Sequence, residues 1–427
     1  LHVISSKVER SKHSVGPALP ARQVNPTAQN YHYSNNSSIE NNMTNTTKAF
    51  DEAYSKLNPQ QRLAVDTIDG PLLVLAGPGT GTTQLLSARV CNILQKTDVA
   101  PSNILCLTFT ESGAANMRKR LRSFMGDDAY DVVISTYHSF GSDIIKNYSE
   151  YFEHITVDRS DDVRLERPID ELSQIQIVDH IVSQLPFDSQ LLSARYYIKS
   201  VVKTISDLKK NLLSPAVLKE LGDSNLKQID DAQAILDEAI NSKGGISRKK
   251  TEWSAQYSQL LEGLSHLTGN LVEMATTELK QAHDDSEEQN SSKPLTVWKN
   301  AWLHKNDQDY FTLTKRSASE KMLELYSVYE AYEKALRRDA LYDFDDMILR
   351  AIEGISNNDE LRFNLQERYQ YILLDEFQDT NPSQFELVKK IADHPVHEGR
   401  PNVMAVGDDD QAIYAFQGAS IGNLEDF

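Results

Sequence analysis

The stretch Leu72–Thr83, LLVLAGPGTGTT, restricts what this chain can fold into more than any other. The uncharged residues Leu72, Leu73, Val74, Leu75 and Ala76 run straight into a turn containing Gly77, Gly79 and Gly81, and apolar residues then recur at helical spacing as Leu86, Val90 and Ile93. A buried strand, a glycine loop and a helix start, in that order, form a cradle for phosphate. Glycine lets backbone N–H groups turn inward, and a helix N-terminus favours negative charge. An ordinary strand-to-helix turn reads much the same. The phosphate-loop pattern also asks for a lysine before the hydroxyl residue that follows its last glycine. Here Thr82 takes that position, followed by Thr83 and Gln84.

The rest of the chain narrows the choice. Its 427 residues allow two or three domains. A formal charge of −18 excludes a uniformly basic nucleic-acid binder, although a local basic groove would be enough for one. Cys91 and Cys106, the only cysteines, lie in apolar-periodic segments, which suits buried thiols in a reducing, cytoplasmic compartment better than a bridge or a metal site. No run of about 18 apolar residues occurs, so no membrane-spanning helix is expected. Residues 1–48 are rich in Asn, Ser and Thr without a sustained period and are expected to be disordered, with Met43 as a candidate start. Such a tract readily generates sequons like those at Asn35, Asn36, Asn42 and Asn45.

Order is expected from Phe50. Asn58 is placed to cap a helix with Pro59 at its first position and Leu63, Ala64 and Ile68 on its apolar face. A helix with Met117, Leu121 and Met125 on one face carries Arg118, Lys119, Arg120 and Arg122 on the other, which reads as a solvated face or as a DNA contact. Buried-strand runs at 72–76, 104–109, 132–135, 371–375 and 403–406 alternate with helices, so the expected fold class is α/β with a mainly parallel sheet. From 151 to 339 helical spacing dominates, as in Leu172, Ile175, Val178, Val182 and Leu185 or Met322, Tyr326, Tyr329 and Leu336. This segment is expected to be a mostly α-helical domain inserted into the α/β one. Within it, 284–292 reads as an exposed acidic loop, and Arg248-Lys249-Lys250 before Trp253 as a DNA-facing loop or a soluble turn.

The last two strands end in Asp375-Glu376 and in Gly407-Asp408-Asp409-Asp410-Gln411. Open α/β sheets bind ligands at the carboxyl ends of their strands. Mg²⁺ prefers oxygen ligands, which Thr83 and Asp375 can supply, and Glu376 can orient or deprotonate water. Strand-end acids also serve as helix caps.

Together these segments resemble the UvrD/Rep group of superfamily 1 DNA helicases. The resemblance lies in an ordered series: LNPQQ at 57–61, AGPGTGTT at 76–83, TFTESGAANMRKRL at 108–121, STYHSF at 135–140, LLDEFQDTN at 373–381 and VGDDDQAIYAFQGA at 406–419. It covers about residues 50–150 and 340–427. It implies a RecA-like P-loop NTPase domain split into 49–150 and 340–427 by the helical insertion 151–339, using ATP and Mg²⁺ to move 3′-to-5′ on single-stranded DNA, or duplex with a single-stranded tail, in repair or recombination. Gln61 is similar to the glutamine that reads adenine. Ala76, Gly77, Pro78, Gly79, Thr80, Gly81, Thr82, Thr83 and Gln84 fall at the phosphate loop. The resemblance further implies that Asp375 holds the metal, Glu376 the water, and Gln411 senses the γ-phosphate. For DNA it implies base stacking or channel lining by Phe109, Tyr137 and Phe416, and backbone contacts from Thr110, Thr136 and His138. Core packing is the alternative for the aromatic residues.

Two positions depart from the family. Thr82 stands in place of the catalytic lysine, and Gln417 where many relatives carry an arginine beside the γ-phosphate. The motifs of a second RecA-like domain are absent from these 427 residues. Three readings are therefore carried forward: the N-terminal portion of such a helicase, a nucleotide- and DNA-binding module that no longer hydrolyses ATP, or the N-terminal part of an AddA- or RecB-like helicase-nuclease.

Overall fold

The computed structural model describes residues 2–5, 49–77, 81–152, 167–187, 189, 191–192, 197–247, 249–306 and 309–408. Its main sheet contains β1 (His2–Ser5), β2 (Leu72–Leu75), β3 (Ile104–Thr108) and β4 (Val133–Thr136) from the first part of the chain. Two short ribbons follow, β5 (Arg167–Pro168) with β8 (Leu341–Tyr342) and the hairpin β6 (Leu303–Lys305) with β7 (Phe311–Leu313). Strands β9 (Tyr371–Leu374) and β10 (Val403–Gly407) return to the main sheet, whose order is β1-β2-β10-β9-β3-β4. All its pairings are parallel except β1 with β2. The fold is thus α/β and mainly parallel, and the five strands read from the sequence fall within a residue of their expected bounds. Within 1–48, expected to be disordered, His2–Ser5 depart from that expectation by pairing antiparallel along the β2 edge, and the rest lies outside the described residues.

Alternation along the strands builds two cores. Leu72, Val74, Ile104, Cys106, Leu373, Met404 and Val406 face one layer of helices, while Leu73, Leu105, Leu107, Ile372, Leu374 and Ala405 face the other. The first layer is α1 (residues 49–55), α2 (Pro59–Asp66), α3 (Thr82–Lys96) and α4 (Glu111–Met125). The second begins with α5 (Tyr137–Asn147). A helical lobe follows: α6 (Glu171–Ser183), α7 (Ile198–Lys210), α8 (Pro215–Ala239), α9 (Lys250–Ser265), α10 (Asn270–Glu288), α11 (Lys293–Trp302) and α12 (Arg316–Arg338). It has two apolar centres of its own, one around Leu236, Tyr257, Leu279 and Trp298, the other around Val178, Val201, Val328 and Tyr332. The chain then completes the second layer with α13 (Asp346–Asn357), α14 (Asp359–Arg368) and α15 (Pro382–Ala392).

Two local expectations are corrected. The acidic stretch read as a loop from 284 continues α10 as far as Glu288, because Val272, Ala275, Leu279 and Ala282 bury one face and leave its charges to solvent. Leu63 is exposed, and Ala64 and Val65 take the core positions of α2 instead.

Two buried cations position these layers. Arg89 of α3 donates to the carbonyls of Ala64 (2.6 Å), Thr67 and Ile68, and Asn92 donates to Val65 O at 2.7 Å. The last carbonyls of α2, which no helix can satisfy internally, are thereby fixed to α3. Burial holds the Arg89 guanidinium down to about 10. Lys209 of α7 sits where the lobe rejoins the sheet domain, with its ammonium 2.7 Å from Asp343, 2.7 Å from Asp346 and 2.8 Å from Glu333.

Candidate functional site

The parallel strands β2, β9 and β10 all end toward one edge of the sheet. In the parallel register Gly407 lies beside Leu75, and Ala405 beside both Leu73 and Leu374, so β9 stops short of the end of β2, with β10 between them. Ala76 N donates to Gly407 O at 2.9 Å, which binds the base of the glycine loop to β10. Gly81 closes that loop with φ +80°, a left-handed conformation that Cβ disfavours, and its carbonyl accepts from Gln84 N and Leu85 N at 2.9 and 3.0 Å. Thr82 and Thr83 are thus the first two helical residues, where backbone N–H groups have no intrahelical acceptor and α3 has no side-chain cap. Pro78, Gly79 and Thr80 lie outside the described residues.

Asp375 follows β9, anchored by its N–H to Leu107 O at 2.9 Å. Its carboxyl is buried, Oδ1 has no hydrogen-bond partner among the described residues, and burial with help from the Glu376 charge pushes it up to about 7. A divalent cation would supply the missing partner and favour the ionised form. Among the described residues no three His, Cys, Asp or Glu side chains converge as a metal site. The carboxyl of Asp375 suits a cation whose remaining ligands are phosphate oxygens and water, the habit of Mg²⁺.

Glu376 is exposed and held at φ +52°, ψ +46°, a left-handed conformation uncommon outside glycine. Gln378 fixes it. Its Nε2 donates to Glu376 Oε2 at 2.7 Å while its Oε1 accepts from Asp408 N at 3.0 Å. Gly407 makes room for this arrangement, since a Cβ there would stand 2.9 Å from Gln378 Oε1.

An orphaned, half-neutral carboxyl is costly when no cation is bound. Asp375→Asn is accordingly expected to stabilise the metal-free protein at pH 8 by roughly 2–4 kcal/mol, from a carboxyl pKa raised from 3.8 to about 7. A folded pKa above the unfolded one makes the native carboxylate increasingly unfavourable as pH rises from about 4 to 7. The gain should therefore be complete above pH 7 and vanish below pH 4. Urea unfolding of both proteins across that range measures it, and equal stability at pH 8 would contradict it.

The residues expected to contact DNA cluster at the ends of β3 and β4, but they are not equally available. Thr110 caps α4 through Gly113 N at 3.0 Å. Thr136 caps α5 and donates to Glu111 Oε1 at 2.9 Å, the same oxygen that Ser139 Oγ reaches at 2.9 Å. Phe109 is half-buried. Tyr137 is a correction: its ring is buried in the second core and its hydroxyl meets Thr380 Oγ1 at 3.3 Å, so no ring face is open for stacking. His138 stacks on Phe344 with ring centroids 3.8 Å apart, and burial, then Lys210, lowers its pKa to about 4. At neutral pH this imidazole is uncharged and can serve a phosphate only as a hydrogen-bond donor.

Sequence reasoning missed Phe344, which is 55% exposed beside His138. The available signal was an aromatic residue set among acids in Tyr342-Asp343-Phe344-Asp345-Asp346, a poor pattern for a core. Gln61 completes a capping box, its Oε1 accepting from Asn58 N at 2.9 Å. The basic run on α4 divides: Arg118 is half-buried and donates to Ile134 O at 2.7 Å, while Lys119, Arg120 and Arg122 remain exposed. In the lobe Lys249 pairs with Glu252 at 3.0 Å, and the side chains of Arg248 and Lys250 are not described. Gln411, Phe416 and Gln417 lie outside the described residues.

Comparison with known proteins adds an independent finding. The model of the UvrD/REP helicase N-terminal domain matches residues 57–247 and 231–427. The ATP-dependent DNA helicase PcrA of Bacillus subtilis (strain 168) is 27% identical over 376 residues, 88% of this chain and 36% of its own length. PcrA of Staphylococcus aureus (strain Mu50) is 27% identical over 371 residues, and that of Staphylococcus epidermidis 26%, each across 87% of this chain. The chain spans about 36% of the length of these relatives.

Proposed function

The chain belongs to the UvrD/REP helicase N-terminal domain family, and from that premise we propose that it carries the ATP-binding and single-strand-contacting portion of an ATP-dependent DNA helicase. The observation that most favours this is the buried Asp375 Oδ1, without a hydrogen-bond partner among the described residues, at the edge of the sheet where β2 also ends. In this reading residues 49–150 and 340–427 form the RecA-like domain and 151–339 the insertion. Backbone N–H groups of the glycine loop and of Thr82 and Thr83 at the start of α3 hold the phosphates. Asp375 and Thr83 hold Mg²⁺, which when bound polarises the terminal phosphate. Glu376, locked in place by Gln378, orients the attacking water and accepts its proton.

Gln61 reads the adenine edge in this proposal, exchanging its bond to Asn58 N for the base. The single strand runs over the ends of β3 and β4, where Phe109 and Phe344 stack bases while Thr110 and His138 donate to phosphates. Movement is 3′-to-5′, in a cytoplasmic setting consistent with two buried free thiols. Calorimetric titration with ATP tests the nucleotide site: affinity should require Mg²⁺ and fall by at least tenfold in Asp375→Asn. Affinity that ignores both metal and substitution would refute it. Thr82 favours a second reading, a module that binds nucleotide and DNA yet hydrolyses poorly.

Binding of a single-stranded oligonucleotide should be weak and should fall measurably with salt despite the charge of −18, because a few cations on the DNA face neutralise only a few phosphates, each adding about −0.7 to the slope. Fluorescence anisotropy at 50 and 200 mM salt measures the slope. Unchanged affinity would remove phosphate contacts from the proposal.

A further inference from the structure

The start of α3 borders a cavity of about 760 Å³ whose opposite wall is α4. Thr83 and Gln84 line it from α3, Lys119 and Arg120 from α4, and Glu52 and Lys56 from α1 and the turn after it. Three cations face one carboxylate there, in a chain whose total charge is −18. Lys119 and Arg120 are exposed, and among the described residues neither has an acidic partner. Arg120 Nη1 instead donates to the neutral Oε1 of Gln84 at 3.2 Å, a long bond that an anionic oxygen would replace with a stronger one. This cationic wall shares its cavity with Thr83, and Thr82 gives α3 a neutral first residue.

We propose that Lys119 and Arg120, acting across this cavity, supply the nucleotide's phosphates with the binding charge that a lysine at position 82 would otherwise provide. The proposal rests on the nucleotide-site reading and adds to it the source of the missing charge. A guanidinium on a neighbouring helix can hold a phosphate oxygen in the bound state through charge-assisted bonds. A purely solvated face of α4 would do nothing for nucleotide affinity.

The test is a double-mutant cycle on the full 427-residue chain, reading Mg-ATP, ADP and AMP affinities by calorimetry. Lys119→Ala/Arg120→Ala should weaken Mg-ATP by about 10- to 100-fold and AMP by much less. In a Thr82→Lys background the same pair should cost only a few-fold, since the two charges substitute for each other. Equal losses in both backgrounds, or no loss in the native one, overturn the proposal while leaving the nucleotide site standing. A native chain that does not prefer ATP to AMP overturns both. Thermal unfolding of each variant separates a lost charge from a lost fold, and Arg120→Lys should rescue affinity in part.

Discussion

Thr82→Lys is expected to raise DNA-stimulated ATP turnover by a factor of about 10²–10³. Thr82 is the first residue of α3, and its hydroxyl has no charge with which to follow the γ-phosphoryl as it departs. Cations on α4 can hold the ground state, but they sit on exposed side chains across a cavity and are not preorganised on the loop itself. Affinity and rate should therefore respond differently. The lysine should change turnover far more than it changes the Kd for ATP, because stabilisation confined to the transition state appears in kcat. The comparison is best made in a polypeptide extended by a second RecA-like domain, with the native chain and the Thr82→Lys variant measured side by side on saturating oligonucleotide. Equal kcat values would mean that a cation already acts on the transition state.

Lys209→Met should destabilise the protein by about 3–5 kcal/mol, the usual cost of stripping a buried charge of its counter-ion. The ammonium is 1% exposed and serves Asp343, Asp346 and Glu333 at once. Asp343 also accepts from Tyr332 Oη at 3.0 Å, and Asp343 and Asp346 each donate a backbone N–H to the other's carboxylate, so methionine would leave a fixed group of carboxylates behind. Burial already holds the Asp346 carboxyl above its ordinary range, and loss of Lys209 would raise it further. A folded pKa above the unfolded one disfavours the native state as pH rises, so the defect should be largest at pH 8 and shrink toward pH 5. In the native protein attraction to the three carboxylates outweighs burial and raises the Lys209 pKa. Its contribution should therefore persist through neutral pH and fade only above the ordinary lysine range. Denaturant unfolding at pH 5 and 8 checks the first statement, and a further measurement at about pH 11 checks the second. A variant as stable as the native chain at pH 8 would show that the cluster is not an ionic tie.

The parallel strands were legible because both faces of β3 and β9 are buried, which leaves continuous runs such as Ile104–Thr108 and Tyr371–Leu374. Asn58 and Pro59 were legible as a helix start because capping chemistry is local. Other features depend on distant partners. β1 is a four-residue strand that exists through pairing with β2, and nothing in its own composition announces an edge. Tyr137, read for stacking or for the core, and Phe344, which the sequence did not single out, owe their places to the same cause. The first has Thr380, from far along the chain, over its hydroxyl, while the second is left outside by the tight turn that Asp343 and Asp346 make around Lys209. In the candidate site, residue types and order were readable, but the orphaned oxygen of Asp375 and the left-handed Glu376 are products of tertiary burial and strain.

The amide of Gln378 has a mechanical consequence. It clasps a side chain that leaves β9 and a peptide that leaves β10, with contacts of 2.7 and 3.0 Å, so the rims of two adjacent strands cannot shear past one another. Asp408 is the point at which the chain departs toward Gln411. Any rearrangement that draws the Glu376 carboxylate aside must lengthen that clasp or carry the Asp408 peptide with it. The lip of the sheet is thus tied through one glutamine, and a substitution such as Gln378→Leu would untie its two ends.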